Sequence, residues 1–256
     1  MTRSVIIEHV WNLTFDTTTI VVDVYIFGRW QKVDSLRGAI VGLGIQRISD
    51  IVMSCSVLNL APKESGGIDP VTFGEHSLGW ALVCRHFARK ISYPDPGKAY
   101  LAGLLHDIGI IVNLWMLPKQ FGEAFAAARD QGIPLDEAEK SVLGFTHCES
   151  GRLLADRWEL SADLCAVVAL HHSDYESSEY AGLIALIAIS NLLCRMGGLN
   201  CGFVELREVN RLAQPGFDAL AKVCSTLKDF GWARLTFELD SYMDEVHTLV
   251  HAIYRK

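Results

Sequence analysis

The amino-acid sequence predicts an all-α fold, a compact bundle of many helices in one large domain. Three observations lead to this prediction. Apolar residues recur at helical spacing over most of the chain from Asp34 onward. Half of the 256 residues are apolar, which is enough to fill a sizeable core. Capping residues and prolines stand where the periodic stretches begin, and glycines stand where they end.

The first helices can be assigned in chain order. Asp34 or Ser35 can cap a short helix that ends near Gly42–Gly44, and a second helix follows through IQRISDIVMSCSVLNL at 45–60. The next is predicted within 69–91, DPVTFGEHSLGWALVCRHFARKI, and has a basic last turn, which suits the helix dipole. The stretch 95–117 is apolar on several faces and is predicted to be a single central helix. Further helices are predicted at 119–130, 135–143, 146–158, 162–172, 178–196, 216–229 and 239–254.

One segment near the N-terminus departs from this pattern. Residues 14–27, TFDTTTIVVDVYIF, are rich in β-branched side chains and favour a strand. A single strand has no evident partner in a helical chain, so the placement of this segment stays open.

Composition excludes several classes of protein. The net charge is −7, which argues against a general nucleic-acid-binding protein, because such a protein needs a basic face. Seven scattered cysteines form no C-x-x-C pair and are typical of buried thiols in a reducing cytosol. The longest apolar run, 180–194, is too short to span a bilayer comfortably. We therefore expect a cytoplasmic protein that binds neither membranes nor nucleic acid.

The histidines are the main candidates for chemistry. In GLLHDIGI, residues 103–110, a histidine and an aspartate stand together within an apolar run. A lone buried histidine is usually a core residue that bonds to a carbonyl, but a buried carboxylate needs a partner. A divalent cation is one such partner, and imidazoles with a carboxylate suit Zn, Fe, Mn or Ni. A network of other side chains, such as Arg85, Arg89 or Ser77, is the alternative.

The order of four motifs resembles a known family. FGEH, ending at His76, is followed by LLHDIG, then by HCESGRLLADRWEL, and finally by VALHH. This order is similar to that of the HD superfamily of metal-dependent phosphohydrolases, and more narrowly to the HDOD domain, an output domain of bacterial signalling proteins. The resemblance covers roughly 30–197. It divides the chain into a divergent or truncated segment 1–30, an HDOD-like helical core 31–197, and C-terminal helices 198–256 packed on the core.

The resemblance also implies a metal site, and this sequence departs from the family's hydrolases there. The implied ligands are His76, His106, Asp107, His147, His171 and His172. Asn191 occupies the place of the aspartate that closes the site in HD hydrolases. Ile110 replaces the lysine of the His-Asp-x-Gly-Lys motif of related cyclic-di-GMP phosphodiesterases, and no Gly-Tyr-Pro segment follows the His-His pair. An amide is a weaker ligand than a carboxylate, and isoleucine cannot neutralise a phosphoryl group.

These departures favour one function over two others. We expect a bacterial regulatory module with a degenerate HD metal site that acts through contacts with signalling proteins. The alternative is a divergent metal-dependent phosphohydrolase in which metal-activated water attacks a phosphoester. A DNA-binding regulator is the least favoured, because the helix after Gly44 carries a single arginine.

Overall fold

The computed structural model confirms the all-α prediction. It describes residues 23–26, 29–32, 44–58, 60, 67–173, 175–202, 216–229, 231, 238, 244 and 247. Contacts divide the chain into two units, 1–56 and 57–256. The domain boundaries proposed from the sequence, after residues 30 and 197, stay predictions.

The first unit holds a short antiparallel hairpin. Strand β1 is Asp23–Ile26 and strand β2 is Arg29–Lys32, with Asp23 opposite Lys32. The β-branched segment therefore does form a strand at its C-terminal end, and its partner is the stretch that follows it directly. Residues 14–22 and the short helix predicted after Asp34 lie outside the described residues, apart from Gly44. Helix α1, Ile45–Leu58, begins in this unit.

Among the described residues of the second unit, the regular elements are all helices. Its helices are α2 Pro70–Lys90, α3 Pro96–Leu105, α4 Ile108–Met116, α5 Pro118–Gln131, α6 Leu135–Leu143, α7 His147–Arg157, α8 Ala162–Leu170, α9 Ala181–Met196 and α10 Phe217–Val223, followed by a 3₁₀ turn at Ser225–Asp229. Most ends agree with the sequence prediction to within about three residues. The last predicted helix, 239–254, lies outside the described residues apart from 244 and 247.

The prediction of one central helix over 95–117 is wrong. The chain leaves the helical path at His106–Asp107, so that α3 ends before this pair and α4 starts after it. The His106 ring bonds to the Gly103 carbonyl at 2.7 Å, which is the carbonyl that a continuous helix would offer to the backbone of Asp107. Asp107 itself adopts φ −100° and ψ 18°. The break turns both side chains toward the neighbouring helices.

Close backbone packing holds α4 against α7. A Cβ atom added to Gly109 would lie 1.9 Å from the His147 carbonyl oxygen, and one added to Gly151 would meet Gly109. Only glycine permits this approach. The crossing brings the start of α7 directly beside the break that carries Asp107.

One helical stretch among the described residues, Pro96–Met116, is apolar and long enough to cross a membrane by length and composition. In this fold 78% of its most apolar window is buried inside the domain, as expected of a core helix. Six cysteines are described with their side chains, and all six are buried and free of disulfides.

Candidate metal centre

Four histidine rings meet at the carboxylate of Asp107. The Nε2 atoms of His76 and His106 lie 3.0 and 3.1 Å from Oδ2 of Asp107. The Nε2 atoms of His147 and His171 lie 3.3 and 3.2 Å from Oδ1. All five side chains are buried. The structure thus brings together five of the six residues that the sequence singled out.

Each of these residues is positioned by the end or the face of a helix. His76 lies on the buried face of α2. His106 and Asp107 occupy the break between α3 and α4. His147 is the first residue of α7, where Thr146 and Glu149 form a reciprocal capping box, and His171 directly follows α8. Helix ends fix these rings because the caps and the neighbouring helices leave them little freedom.

The second ring nitrogen of each histidine faces an atom that can only accept a hydrogen bond. The Nδ1 partners are the Leu199 carbonyl for His76 at 3.2 Å, the Gly103 carbonyl for His106 at 2.7 Å, the Glu139 carboxylate for His147 at 2.6 Å, and the Val167 carbonyl for His171 at 3.1 Å. Each Nδ1 therefore carries its proton and donates it. In a neutral ring this leaves Nε2 with a lone pair.

This tautomer makes the four Nε2 atoms suitable metal ligands. A histidine that ligates a metal through one nitrogen normally donates the other N–H to a carbonyl or a carboxylate. The buried Nε2 atoms of His106 and His147 make no hydrogen bond within the described structure, although each lies within 3.3 Å of an Asp107 oxygen. A lone pair that faces a carboxylate oxygen requires a proton or a cation between them. The donor set therefore fits a divalent metal.

The pKa values indicate how the protein balances this cluster without a cation. Burial lowers the pKa of His106 to about 4, so this ring is neutral. Burial would lower the pKa of His171 too, but Cys148 and Asp107 outweigh it and raise the value to about 10. Burial likewise opposes protonation of His147, yet Glu139 and Cys148 raise its pKa well above the usual value. These raised pKa values favour protonated rings of His147 and His171 beside the carboxylates of Glu139 and Asp107.

The same charges act on the two acidic groups at the cluster. Burial alone would raise the pKa of Asp107, but hydrogen bonds from the rings of His147 and His171 help to hold it well below its usual range. Burial would also raise the pKa of the Cys148 thiol, but His171 and His147 lower it to about 6. Both shifts favour the anionic form of these two groups.

Glu139 is a member of the site to which sequence reasoning gave no role. Its side chain is fully buried. Oε2 accepts from the His147 backbone N at 2.7 Å and from the His147 ring, and Oε1 accepts from Asn113 Nδ2 at 2.9 Å. The available signal was its position eight residues before His147, the first residue of the motif HCESGRLLADRWEL. Glu139 fixes the orientation of the His147 ring.

Trp80 was also missed, since it looks like an ordinary core residue of α2. Its ring lies 3.8 Å from the His106 ring and 4.9 Å from the His76 ring, measured between centroids, and its Nε1 donates to the Ile187 carbonyl. The indole forms an apolar wall behind these two histidines.

His172 lies at the edge of the cluster. Its ring centroid is 4.2 Å from that of His171, and the residue is exposed to solvent. Ligand atoms of Asp107, His147, His171 and His172 lie within 4.8 Å of one another, and so do those of His76, His106 and Asp107. The two groups share Asp107, and either could hold a metal ion.

A cavity of about 50 Å³ adjoins the cluster. His76, Asp107, His147 and His172 form part of its lining. Ile110 and Asn191, the two departures noted in the sequence, line the cavity as well. The two positions at which the family resemblance leads one to expect a charged residue are uncharged here, and both line the cavity.

Comparison with known proteins identifies the family that this arrangement belongs to. The sequence model of the HDOD domain matches residues 21–174. A curated relative from Treponema pallidum, an uncharacterized protein, is 28% identical over 98 residues, which are 38% of this chain. The match covers only 19% of that relative's length.

Solved structures share the fold at low sequence identity. An HDOD domain protein of unknown function from Geobacter sulfurreducens has a TM-score of 0.76 at 22% identity, and the match covers 99% of this chain and 93% of that one. A candidate phosphohydrolase from Shewanella amazonensis has a TM-score of 0.63 at 20% identity, covering 86% and 78%. A candidate signal-transduction protein from Marinobacter aquaeolei has a TM-score of 0.70 at 17% identity, covering 87% and 48%. At these identities the likeness concerns the fold.

Proposed function

Because the chain belongs to the HDOD domain family, we propose that it is a bacterial signal-transduction module of the cytoplasm that acts through contacts with signalling proteins. Its HD-type centre binds a divalent metal but is degenerate as a catalyst. The metal stabilises the state of the module that its partner recognises. The bacterial sources of the similar structures and the signalling name of one of them support this proposal.

The observation that carries the proposal is the contrast between the ligands and the cavity beside them. The Nε2 atoms of the four histidines converge on the carboxylate of Asp107. Ile110 and Asn191 line the same cavity and add no charge to it. A site built this way can hold a metal, but it lacks two charged groups with which HD hydrolases act on a phosphoester.

The donor set narrows the choice of metal. Imidazole nitrogens with a single carboxylate suit Fe, Mn, Zn or Ni better than Mg or Ca, which prefer oxygen ligands. His76, His106 and Asp107 would form one group of ligands, and His147 and His171, with His172 at the edge, would complete the other. A metal bound here would supply a Lewis acid that polarises oxygen ligands and activates water.

A second candidate function is weak phosphoester hydrolysis. The specific observation in its favour is that a cavity of about 50 Å³ adjoins the ligand cluster. The similarity to a candidate phosphohydrolase fits this alternative. The uncharged Asn191 and Ile110 oppose it, because an amide ligand leaves a bound metal with less negative charge around it.

Metal analysis and a phosphatase screen of the purified protein test the proposal together. We expect about one or two equivalents of a transition metal and no turnover of p-nitrophenyl phosphate above background. Asn191→Asp should raise the affinity for Mn, because a carboxylate adds both charge and a hard oxygen ligand. Gln120→Glu, which adds the same charge on an exposed face of α5, is the control.

Each result has a defined meaning. Protein that binds no transition metal refutes the metal centre. Robust turnover that disappears in Asp107→Ala, with a melting temperature like that of the wild type, replaces the regulatory proposal by the hydrolase. Equal Mn affinities of Asn191→Asp and the wild type show that residue 191 does not close the site.

A further inference from the structure

We propose that residues 197–202, which directly follow α9, form a metal-dependent conformational switch. In the metal-bound state this segment is fixed against α2 through His76, and without the metal it is released. The inference names the element through which the metal centre would act on a partner, and in this respect it rests on the proposed function. The HD motifs lie elsewhere in the chain and assign no role to these residues.

Leu199 joins segment 197–202 both to the metal centre and to α2. Its carbonyl oxygen accepts a hydrogen bond from Nδ1 of His76, 3.2 Å away. Its side chain is buried and packs against Gly79 on α2, since a Cβ atom added to that glycine would lie 2.3 Å from Cδ1 of Leu199. Asn200 and Cys201, like Leu199, line the cavity beside the cluster. The position of the segment and the orientation of one ligand ring are thus set by the same residue.

Two glycines on the surface bound the part of the segment that carries Leu199. Gly198 has φ +77° and Gly202 has φ +88°, a backbone region that favours glycine, and both residues are exposed. Between them the backbone bonds are local: Leu199 N donates to the Cys194 carbonyl at 3.0 Å, and Asn200 N donates to the Gly198 carbonyl at 2.9 Å. Small residues at both ends of a short loop can absorb a change of backbone direction. The segment can therefore move without unfolding α9.

The His76 ring couples the metal centre to this segment. Its two nitrogens face two acceptors, the Leu199 carbonyl at 3.2 Å from Nδ1 and the Asp107 carboxylate at 3.0 Å from Nε2. A neutral imidazole has one N–H group and donates to one acceptor at a time. When Nε2 ligates a metal, the N–H group stays at Nδ1 and donates to Leu199. Without a metal, Asp107 competes for the same N–H group and the bond to Leu199 is weakened.

This coupling must act in both directions. If a metal strengthens the bond between His76 and Leu199, a segment that is held in place strengthens metal binding by the same factor. One hydrogen bond corresponds to about a two- to tenfold change in an equilibrium constant. The amides of residues 199–201 should therefore exchange about two- to tenfold more slowly in Mn-loaded protein than in chelator-treated protein.

The test is hydrogen exchange of the full-length protein, with and without Mn, in the wild type and in Gly79→Ala. The added methyl group occupies the place of the Leu199 side chain, so it displaces the segment and changes no ligand. We expect this variant to lose the metal-dependent protection of 199–201 and to bind Mn about two- to tenfold more weakly. Gly182→Ala on α9 is the matched control, because its added Cβ would meet the Val223 side chain at 2.7 Å instead.

The amides of α10 serve as an internal reference for general stabilisation by the metal. Slower exchange at 199–201 in Mn-loaded wild type, lost in Gly79→Ala and kept in Gly182→Ala, supports the switch. If Gly79→Ala does not fold, Leu199→Ala takes its place with the same expected result, and Leu220→Ala, a truncation of a buried leucine on α10, is its control.

Elemental analysis measures metal binding separately, so the switch and the metal centre can fail separately. Wild-type protein that binds Mn but slows exchange at 199–201 no more than in α10 overturns the switch and leaves the centre in place. A folded Gly79→Ala variant that keeps the wild-type Mn affinity and protection overturns it as well. Protein that binds no transition metal refutes the centre and the switch together.

Discussion

The buried carboxylate of Glu139 offers a direct test of how the metal centre is held. Glu139→Gln keeps the shape of the side chain but replaces one acceptor oxygen by an NH₂ group. If the remaining oxygen still accepts from His147 and the Asn113 amide keeps its orientation, the new NH₂ group faces the NH₂ group of Asn113, and neither donor is satisfied. The carboxylate's charge, which opposes the imidazolium of His147, is lost as well.

The expected magnitude follows from these contacts. An unsatisfied buried donor costs about 1–3 kcal/mol, and replacing charge-assisted bonds by neutral ones costs about 1 kcal/mol more. The unfolding free energy should fall by about 2–4 kcal/mol, which corresponds to roughly 5–15 °C in melting temperature for a chain of this size. The His147 ring also loses its fixed orientation, so metal affinity should fall about 10–100-fold.

Thermal melts with chelator measure the first effect, and metal titration measures the second. Glu137→Gln is the control, because Glu137 is exposed on the same helix. The double variant Glu139→Gln/Asn113→Asp restores the pairing of donor with acceptor and the net charge, so it should regain part of the lost stability. A Glu139→Gln protein that melts and binds metal like Glu137→Gln would refute the role given to this residue.

Three further predictions concern the charges of the described helices. Asp107→Ala should lower the unfolding free energy of chelator-treated protein by about 3–5 kcal/mol, because it leaves buried imidazolium groups without their carboxylate, and a melt equal to that of the wild type would contradict this. Metal binding should release up to about two protons near neutral pH. The raised pKa values of His147 and His171 favour protonated rings, and a metal that binds to them displaces these protons. Calorimetry in buffers of different ionisation enthalpy measures this release. Asp163 has a lowered pKa: burial opposes the shift, but the bonds from its lysine partner on α3 and from a neighbouring serine outweigh it. It should therefore stabilise the fold above the unfolded carboxyl pKa of about 3.9 and lose this effect as the pH falls through its lower folded value. The difference in melting temperature between wild type and Asp163→Asn should accordingly be present at pH 7 and vanish in acid.

Much of the molecule could be read from local patterns in the sequence. Helical periodicity and capping residues located most helices of the second unit, because the alternation of buried and exposed positions is written into each segment separately. The order of the motifs, through the family resemblance, also predicts that the histidines and Asp107 share one site. The departures at Ile110 and Asn191 were visible in the same way, since they depend only on which residue stands at a given position.

Other features depended on contacts between distant segments. The central helix breaks at His106–Asp107 because the His106 ring bonds to the Gly103 carbonyl and the neighbouring helices surround both side chains. Helical periodicity in the sequence does not reveal such contacts. The carbonyl that orients His76 lies 123 residues away, at Leu199. Glu139 looks like a surface residue in its own helix and becomes buried only when α6 packs beside α7. The sequence by itself determined the residue types of the site and the helices that carry them. The tertiary packing decided which ring nitrogen of each histidine donates a hydrogen bond, which carboxylate is buried, and which residues line the cavity. Hydrogen bonding and burial are set by partners far apart along the chain.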